Sequence, residues 1–156
     1  MKPIDDLKFW KKRIDDAKKS REHYSVYVVD ENKWKYINDT HKEILLRECS
    51  GKVLDAGCGY GRWSELFTEY VGVDFSPDFI AEAQRKYPSK TFIQADLKAL
   101  PFADKEFDTA FCVSIKKMVQ DNLGDEEWNK MQKELQRVSK KLVICEYEDP
   151  KPYEVI

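Results

Sequence analysis

The first fifty residues carry a hydrophobic pattern that predicts two helices and a short strand. Residues 4–21 place their apolar positions three and four residues apart, which is the spacing of an amphipathic helix. Residues 25–29, SVYVV, form a short strand-like run. Residues 38–49, NDTHKEILLREC, predict a second helix capped by Asn38 or Asp39. This part of the chain is therefore expected to be mainly helical.

From residue 52 onward the pattern changes to a repeated order of strand, turn and helix. Apolar runs predict strands at 52–56, 70–74, 91–95, 107–115 and 141–148. Helical periodicity predicts helices at 61–69, 76–87 and 125–141, the second of them with Ser76 as its cap and Pro77 in its first turn. Strands and helices alternating at these lengths predict an α/β fold, with a mainly parallel sheet and helices on both faces.

Length and composition narrow the classes of protein to consider. A chain of 156 residues fits a single domain with one hydrophobic core. With 27 basic and 29 acidic residues, the formal net charge of -2 gives no overall attraction to nucleic acid or membranes. The four cysteines lack zinc-ligand spacing. Neither a signal peptide nor an apolar run near the ~20 residues of a membrane span is recognisable, so a cytoplasmic location is expected.

The stretch KVLDAGCGYGRWSELF, residues 52–67, has three glycines between a predicted strand and a predicted helix. Glycine lets the backbone pass close to a ligand in such a turn. A dinucleotide site uses the spacing G-x-G-x-x-G, whose backbone amides hold a pyrophosphate. Here Arg62 takes the place of the third glycine when counting starts at Gly57, and Ser64 does so when it starts at Gly59. The spacing D-x-G-x-G-x-G therefore disfavours a dinucleotide.

Carboxylates near this turn favour a different ligand. Asp55, just ahead of the glycines, would repel a pyrophosphate and suits a cationic ligand. S-adenosylmethionine (SAM) fits, because its sulfonium and ammonium groups are positive and it has no phosphate. Asp74 ends the strand-like run YVGVD, and Asp96 follows the third predicted strand in IQADL. An acid at the end of the second strand can accept hydrogen bonds from both hydroxyls of a ribose.

With these features the sequence resembles the class I SAM-dependent methyltransferases, in the broad type-11-like branch. The resemblance covers roughly residues 50–148 and rests on VLDAGCGYG together with Asp74 and Asp96. It implies a Rossmann-like fold with strand order 3-2-1-4-5. It also implies a single domain over the whole chain, in which residues 1–50 form a helical lid and acceptor segment and residues 51–148 the SAM-binding core.

The resemblance further implies SAM as the cofactor and gives roles to individual residues. Asp74 binds the ribose, Phe75 packs on the adenine, and Asp96 takes the adenine amino group. The backbone of Leu97 reads the edge of the ring. The residues expected to bind the cofactor are Asp55, Gly57, Cys58, Gly59, Gly61, Asp74, Phe75, Asp96, Leu97, Val113 and Ser114, the last two facing the methyl group.

Methyl transfer itself requires few catalytic side chains. It is an in-line displacement from a reactive sulfonium, so positioning supplies much of the acceleration, and a base is needed only for an acceptor that loses its proton early. Residues that could act as such a base are expected to have ordinary structural roles, and His41 and His23 are expected at the surface. The candidates are Ser114, Lys116 and Glu146 near strand ends, with His23 and Tyr24 from the N-terminal segment; Ser114, Lys116 and Tyr24 are kept as weak catalytic candidates.

The sequence departs from related families at two places. SIKKM, residues 114–118, stands where DNA amino-methyltransferases carry Asp/Asn-Pro-Pro-Tyr/Phe, and no acidic cluster suits a magnesium-assisted reaction, so no metal site is predicted. The chain stops at EYEDPKPYEVI, too short for the helix and antiparallel strand pair that usually follow the fifth strand. Since edge strands are rarely left bare, we expect the N-terminal segment, YEVI or a second subunit to cover this edge.

Three functions are compatible with these patterns. The first is a SAM-dependent methyltransferase with a small-molecule acceptor, which is favoured. The second is a methyltransferase that acts on nucleic acid or protein, docking through the basic residues between Lys8 and Arg21, although such a cluster is usually a solvated helix face. The third is a non-catalytic SAM-binding module. The atom that receives the methyl group is not indicated by any motif.

Overall fold

The computed structural model describes residues 31–146 and 153–156. Its elements are α1 (Glu31–Glu48), β1 (Val53–Ala56), a 3-10 turn (Ser64–Leu66), β2 (Tyr70–Asp74), α2 (Pro77–Lys86), β3 (Thr91–Gln94), β4 (Phe107–Val113), α3 (Lys116–Leu123), α4 (Asp125–Val138), β5 (Ser139–Cys145) and β6 (Tyr153–Val155). The predicted helix at 4–21, the predicted strand at 25–29, the basic cluster, His23 and Tyr24 lie outside the described residues.

The strands form one sheet in the order β3-β2-β1-β4-β5-β6. The neighbours among β1 to β5 are all parallel, which confirms the mainly parallel sheet and the predicted order 3-2-1-4-5. β6 runs antiparallel to β5, with Tyr153 opposite Cys145 and Val155 opposite Val143. The YEVI segment therefore covers the edge of the fifth strand, which was one of the three predicted alternatives.

Alternate residues of the buried strands supply two hydrophobic cores, one on each face of the sheet. In β1, Val53 packs in the core that contains Leu45 of α1, whereas Leu54 packs in the core that contains Leu135 of α4. This is the period-two alternation of a strand covered on both faces. The predicted stripe of α4, formed by Trp128, Met131, Leu135 and Val138, is buried in the second core. Helices thus cover both faces, as expected.

The prediction of a helix over 61–69 is wrong, because only a 3-10 turn forms there, at Ser64–Leu66. Gly61 has a φ of +76°, outside the right-handed helical region. Phe67 is already extended, with a φ of -129° and a ψ of 139°. The few residues between the glycines and β2 therefore leave room for a single turn.

The other predicted boundaries shift where tertiary contacts decide. α1 begins at Glu31, so Asn38 and Asp39 lie inside the helix and do not cap it. An ion pair between Lys35 and Asp39, four residues apart, stabilises this earlier part of α1. In α2 the side chain of Ser76 accepts a hydrogen bond from the Phe79 N–H, which confirms the predicted cap.

Near the end of the chain, α4 stops at Val138, because Ser139 is extended and begins β5 two residues before the predicted strand. The short helix α3 was not predicted. Its buried residues are Met118 and Val119, too few to form a recognisable apolar stripe. Among the described residues, no helix has the length and apolar character needed to cross a membrane.

Candidate functional site

The carboxyl ends of the parallel strands bring the predicted site residues to one edge of the sheet. Strand pairing puts Ala56, the residue before the glycine turn, beside Val73, and Asp74 beside Gln94. Asp96 follows β3 by two residues, and Ser114 follows β4 directly. In open α/β sheets, ligands bind outside this edge, where the strand order reverses. Here the order reverses between β1 and β4.

The glycine turn leaves β1 in a backbone conformation that side chains rarely adopt. Gly57, Gly59 and Gly61 have φ values of +78°, +52° and +76°. The N–H groups of Gly57 and Cys58 both donate to the carbonyl oxygen of Val73, each at 2.8 Å. These contacts fold the turn back over the end of β2. Glycine is required because φ values in this range are costly for other residues.

Close packing explains two of the three glycines, and open space surrounds the third. A Cβ atom on Gly57 would lie 2.5 Å from Cδ1 of Ile115, and one on Gly61 would lie 2.6 Å from the ring of Phe92. A Cβ atom on Gly59 would meet no other atom within 4 Å. The turn therefore packs against the protein on either side, while its centre faces open space that a ligand can approach.

Asp74, at the end of β2, is held by backbone amides on both of its oxygens. The N–H of Gly59 donates to Oδ2 and the N–H of Ser76 donates to Oδ1, each at 2.9 Å. Burial raises the pKa of this carboxyl to about 6, although the hydrogen bonds from Ser76, Gly59 and Phe75 oppose the rise. Asp74 is therefore mainly ionised at neutral pH, and each oxygen keeps a lone pair for a further donor.

Asp55 lies beneath the turn, with 1% of its surface exposed. The hydroxyl of Tyr70 donates to its Oδ2 at 2.6 Å. Burial raises the pKa of Asp55 to about 7, and the Tyr70 hydrogen bond and the Arg62 charge oppose the rise. Burial also lowers the pKa of Arg62 to about 10. Asp55 thus shares a buried polar cluster with Tyr70 and Arg62.

Neither Tyr70 nor Arg62 is predicted as a site residue by the sequence pattern. Tyr70 begins the apolar run YVGVD, and Gly72, two residues later on the same face, is the only sequence sign of space for its ring. A Cβ on Gly72 would lie 2.9 Å from the Tyr70 hydroxyl oxygen. In the sequence, Arg62 stands where a dinucleotide motif has glycine, and this position gives no sign of a contact with Asp55. Its guanidinium lies over the Trp63 ring, 4.5 Å from the centroid.

The other predicted cofactor residues surround the same edge. Phe75 and Asp96 are half-buried, whereas Leu97 and Cys58 are buried. Burial raises the pKa of the Cys58 thiol. Asp96 accepts a hydrogen bond of 2.9 Å from the Lys98 N–H. This contact forms a tight turn after β3 and leaves the other carboxylate oxygen facing the Lys98 ammonium at 3.8 Å.

The end of β4 carries the predicted methyl-facing residues and Lys116. Val113 is buried and Ser114 is half-buried. Ser114 has a φ of +59°, and its N–H donates to the Cys145 carbonyl oxygen at 2.8 Å. The Lys116 ammonium forms an ion pair of 2.7 Å with Glu154 of β6. The candidates from β4 and α3 therefore stand at the site edge, next to the end of β5.

The prediction that His41 lies at the surface is wrong, because only 3% of its surface is exposed. Its Nε2 lies 3.0 Å from the carbonyl oxygen of Glu146, so this nitrogen carries the proton and donates. Burial lowers the pKa of His41, and the Arg62 charge lowers it further. A neutral histidine of α1 is thus hydrogen-bonded to the residue that follows β5. This contact joins residues 105 positions apart, which a local pattern does not reveal.

No group of three or more His, Cys, Asp or Glu side chains within residues 31–146 and 153–156 is arranged to hold a metal ion. What the described site offers is a glycine turn facing open space, an ionised carboxylate anchored beside it, and a half-buried aromatic residue. Such groups can bind a nucleoside without phosphates.

Solved structures share this fold. The chain is similar to the PH0226 protein of Pyrococcus horikoshii OT3, with a TM-score of 0.65 and 29% identity over 81% of this chain and 66% of that one. It is also similar to a SAM-dependent methyltransferase of Methanosarcina mazei, with a TM-score of 0.57 and 25% identity over 65% of this chain and 55% of that one.

Curated relatives and a family model agree. The chain is 35% identical over 81 residues to malonyl-[acyl-carrier protein] O-methyltransferase of Enterobacter lignolyticus, covering 45% of this chain and 32% of that protein. It is 34% identical over 109 residues to demethylmenaquinone methyltransferase of Renibacterium salmoninarum, covering 64% and 42%. The matches thus span less than half the length of these relatives. Residues 53–141 match the model of a family described as a methyltransferase domain. The chain therefore belongs to this methyltransferase domain family, within the class I SAM-dependent methyltransferases, whose cofactor is SAM.

Proposed function

We propose that this chain binds SAM at the carboxyl edge of its sheet and transfers the methyl group to a small-molecule acceptor. Family membership supports the reaction class. Two relatives support the acceptor class, because their names state methyl transfer to malonyl-[acyl-carrier protein] and to demethylmenaquinone. The predicted acceptor from the sequence was likewise a small molecule.

The observation that carries the proposal is the contact between Gly59 and Asp74. The Gly59 N–H holds Oδ2 of Asp74 at 2.9 Å, directly below the part of the turn that faces open space. Because Ser76 holds Oδ1 in the same way, the carboxylate is fixed in one orientation. Its remaining lone pairs suit two donors about as far apart as the hydroxyls of a ribose.

The remaining residues have roles that follow from their positions. Phe75, directly after Asp74 and half-buried, supplies an aromatic face for the adenine. Asp96 has one oxygen that is not held by its own turn, which suits the adenine amino group. The Ser114 N–H already donates to the Cys145 carbonyl oxygen, so the backbone group that Ser114 can offer near the methyl group is its own carbonyl oxygen.

In this proposal the cofactor supplies a methyl group on a positive sulfur, and the chain supplies binding and orientation. The buried Asp55 contributes indirectly, since it lies under the glycine turn beside Tyr70 and Arg62. Lys116 is paired with Glu154 and is not free to act as a base in this arrangement. Positioning of an acceptor in line with the sulfur–methyl bond supplies the acceleration.

The test is a titration of the full chain with SAM, and with its demethylated product, by calorimetry. It is followed by transfer of a labelled methyl group to four classes of small-molecule acceptor, namely carboxylates, thiols, quinols and amines, and also to nucleic acid and to protein. We expect binding of both ligands and transfer to at least one class. A folded protein that binds neither ligand would overturn the proposal. Binding without transfer to any class, nucleic acid and protein included, would favour the non-catalytic module instead.

A further inference from the structure

The last residue of β5 and the residue after it both contact the turn that joins β4 to α3. The Cys145 carbonyl oxygen accepts from the Ser114 N–H at 2.8 Å. The Glu146 carboxylate faces the first turn of α3, and its Oε1 lies 3.4 Å from the Lys117 nitrogen. Glu146 is half-buried. The last residue of β5 and the residue that follows it therefore contact both ends of this turn.

The turn that they hold is strained. Ser114 has a φ of +59°, a left-handed conformation that is unfavourable for a residue with a side chain. Strain of this kind persists only where surrounding contacts hold it, and it occurs often at ligand sites. The first residues of α3 also leave backbone N–H groups without partners inside the helix. A carboxylate placed there stabilises the helix start, which follows the strained residue directly.

This turn packs directly on the glycine turn of the cofactor site. Cδ1 of Ile115 occupies the position next to Gly57, where a Cβ atom would lie only 2.5 Å away. Gly57 in turn is anchored to the end of β2 through its N–H bond to Val73. A displacement of Ile115 would therefore change the packing beneath the glycine turn. Close-packed contacts of this kind transmit small shifts.

We propose that Glu146 is a positioning residue of the cofactor site. Its ionised carboxylate holds the Ser114–Lys117 turn, so that Ile115 keeps Gly57 in the geometry that accepts SAM. Glu146 acts through the turn and does not contact the cofactor. The part of the inference that concerns SAM rests on the proposed function, whereas the coupling of Glu146 to Gly57 does not.

The charges around Glu146 place its ionisation in the physiological range. Burial raises its pKa to about 7, against the opposing effects of the Lys117 and Lys116 N–H groups and the Lys116 ammonium. Glu154, from β6, raises it further. The groups facing it from other elements are the buried thiols of Cys112 and Cys145 and, at its backbone carbonyl, the neutral His41 of α1. The hold is thus expected to strengthen as pH rises through about 7 and to weaken as the carboxyl is protonated.

The first experiment follows backbone amides and the Ile115 methyl group by NMR in the full chain without ligand, between pH 5 and pH 9. Asp55 lies two residues from Gly57 and also titrates near pH 7, so the comparison is made in an Asp55→Asn background. With Glu146 present, the Ser114 amide, the Ile115 methyl group and the Gly57 amide should share a step near pH 7. Glu146→Gln should remove that step from all three signals.

The second experiment measures SAM affinity in otherwise wild-type chains. At pH 8.5, Glu146→Gln should bind SAM about tenfold more weakly, which is the scale of one charge-assisted hydrogen bond. At pH 5.5 the two proteins should agree within about twofold, because the wild-type carboxyl is then protonated as well. Glu146→Asp keeps the charge and should recover part of the affinity.

Glu154→Gln is the matched control, since Glu154 is a neighbouring but exposed carboxylate that contacts Lys116 rather than the helix amides. It should keep the shared NMR step and move it to lower pH, because a negative neighbour is removed. Identical NMR titrations of the chains with Glu146 and with Glu146→Gln would overturn the coupling of Glu146 to Gly57. Unchanged SAM affinity of a folded Glu146→Gln protein at pH 8.5 would overturn its effect on the site. If the wild-type chain binds no SAM, the proposed function fails, and the NMR comparison still decides the coupling.

Discussion

The hydroxyl of Tyr70 donates a 2.6 Å hydrogen bond to the carboxylate of Asp55, under the glycine turn. Asp55 is the acid that the sequence suggested as a partner of a cationic ligand. In the fold Asp55 accepts a hydrogen bond from this phenol, and the positive charge of Arg62 acts on it. The acid of the motif is thus part of the support beneath the turn, and a direct contact with SAM stays a prediction.

Tyr70→Phe removes the donor and should lower the free energy of unfolding more at high pH than at low pH. Above pH 8, where Asp55 is ionised, the loss should be about 1–3 kcal/mol, the cost of a buried charged group without its donor. Near pH 5 the loss should be smaller, because Asp55 is then protonated. Urea unfolding at the two pH values measures this. An equal loss at both would mean that the hydrogen bond does not act on the ionised form.

Asp55→Asn should reduce the dependence of stability on pH between about 4 and 7. The folded-state pKa of Asp55, about 7, lies above the ordinary value of 3.8, so its contribution is complete below pH 3.8 and is lost as pH rises through 7. The wild type should therefore lose roughly 1–4 kcal/mol across this range relative to the variant, since one pKa unit corresponds to about 1.4 kcal/mol. Parallel stability curves for the two proteins would contradict the raised pKa.

Asp74→Ala should weaken SAM binding by roughly 1–3 kcal/mol, because two hydrogen bonds to a charged acceptor are lost. In the wild type, affinity should also fall as pH decreases through about 6, where Asp74 becomes protonated. Calorimetric titration from pH 5 to 8 measures both effects. Asp121→Ala, which changes an exposed carboxylate of α3, is the control and should bind as the wild type does. Wild-type affinity in folded Asp74→Ala would rule out the ribose role.

Gly59→Ala, compared with Gly124→Ala, distinguishes the effect of backbone strain on stability from the effect of an added methyl group on SAM binding. Both Gly59 and Gly124 have positive φ, and a Cβ on either would meet no atom within 4 Å. Gly59→Ala should lose about 1–2 kcal/mol of stability. Gly124→Ala should lose at least as much, because Gly124, with a φ of 98° and a ψ of 166°, lies in a region that only glycine adopts readily. Only Gly59→Ala should also lose SAM affinity, by about tenfold or more, because its methyl group enters the space above Asp74. Equal SAM affinity in the two variants would place the cofactor elsewhere.

Removal of residues 153–156 should expose the edge of β5. The deletion removes the antiparallel ladder with β6, together with the 2.9 Å hydrogen bond from Arg47 to the Tyr153 hydroxyl. We expect a lower melting temperature and, because bare edges pair with other chains, concentration-dependent association in light scattering. Glu154→Gln, which keeps the strand, should stay like the wild type in both assays. A truncated chain that stays unassociated and equally stable would show that β6 does not protect this edge.

Local sequence patterns predicted the fold and much of the site edge. The buried strands are continuous apolar runs, and the pairing of Ser76 with Pro77 marks the start of α2. The strand-end positions of Asp74 and Ser114 follow from those strands, because parallel strands bring their carboxyl ends together. The glycine spacing indicated the cofactor. Each of these inferences depends on residues close together in the chain.

Contacts between distant residues decided the rest. His41 is buried because α1 packs on β5, and its partner Glu146 lies 105 residues away. Tyr70 meets Asp55 because β1 and β2 pair, and Arg62 acts on Asp55 from the turn between those strands. Hydrophobic periodicity reports which face of an element is covered but not which polar groups meet beneath it. The sequence by itself thus determined the strands, the turn and the class of cofactor, whereas tertiary packing determined which acids are buried, and so their charge near neutral pH.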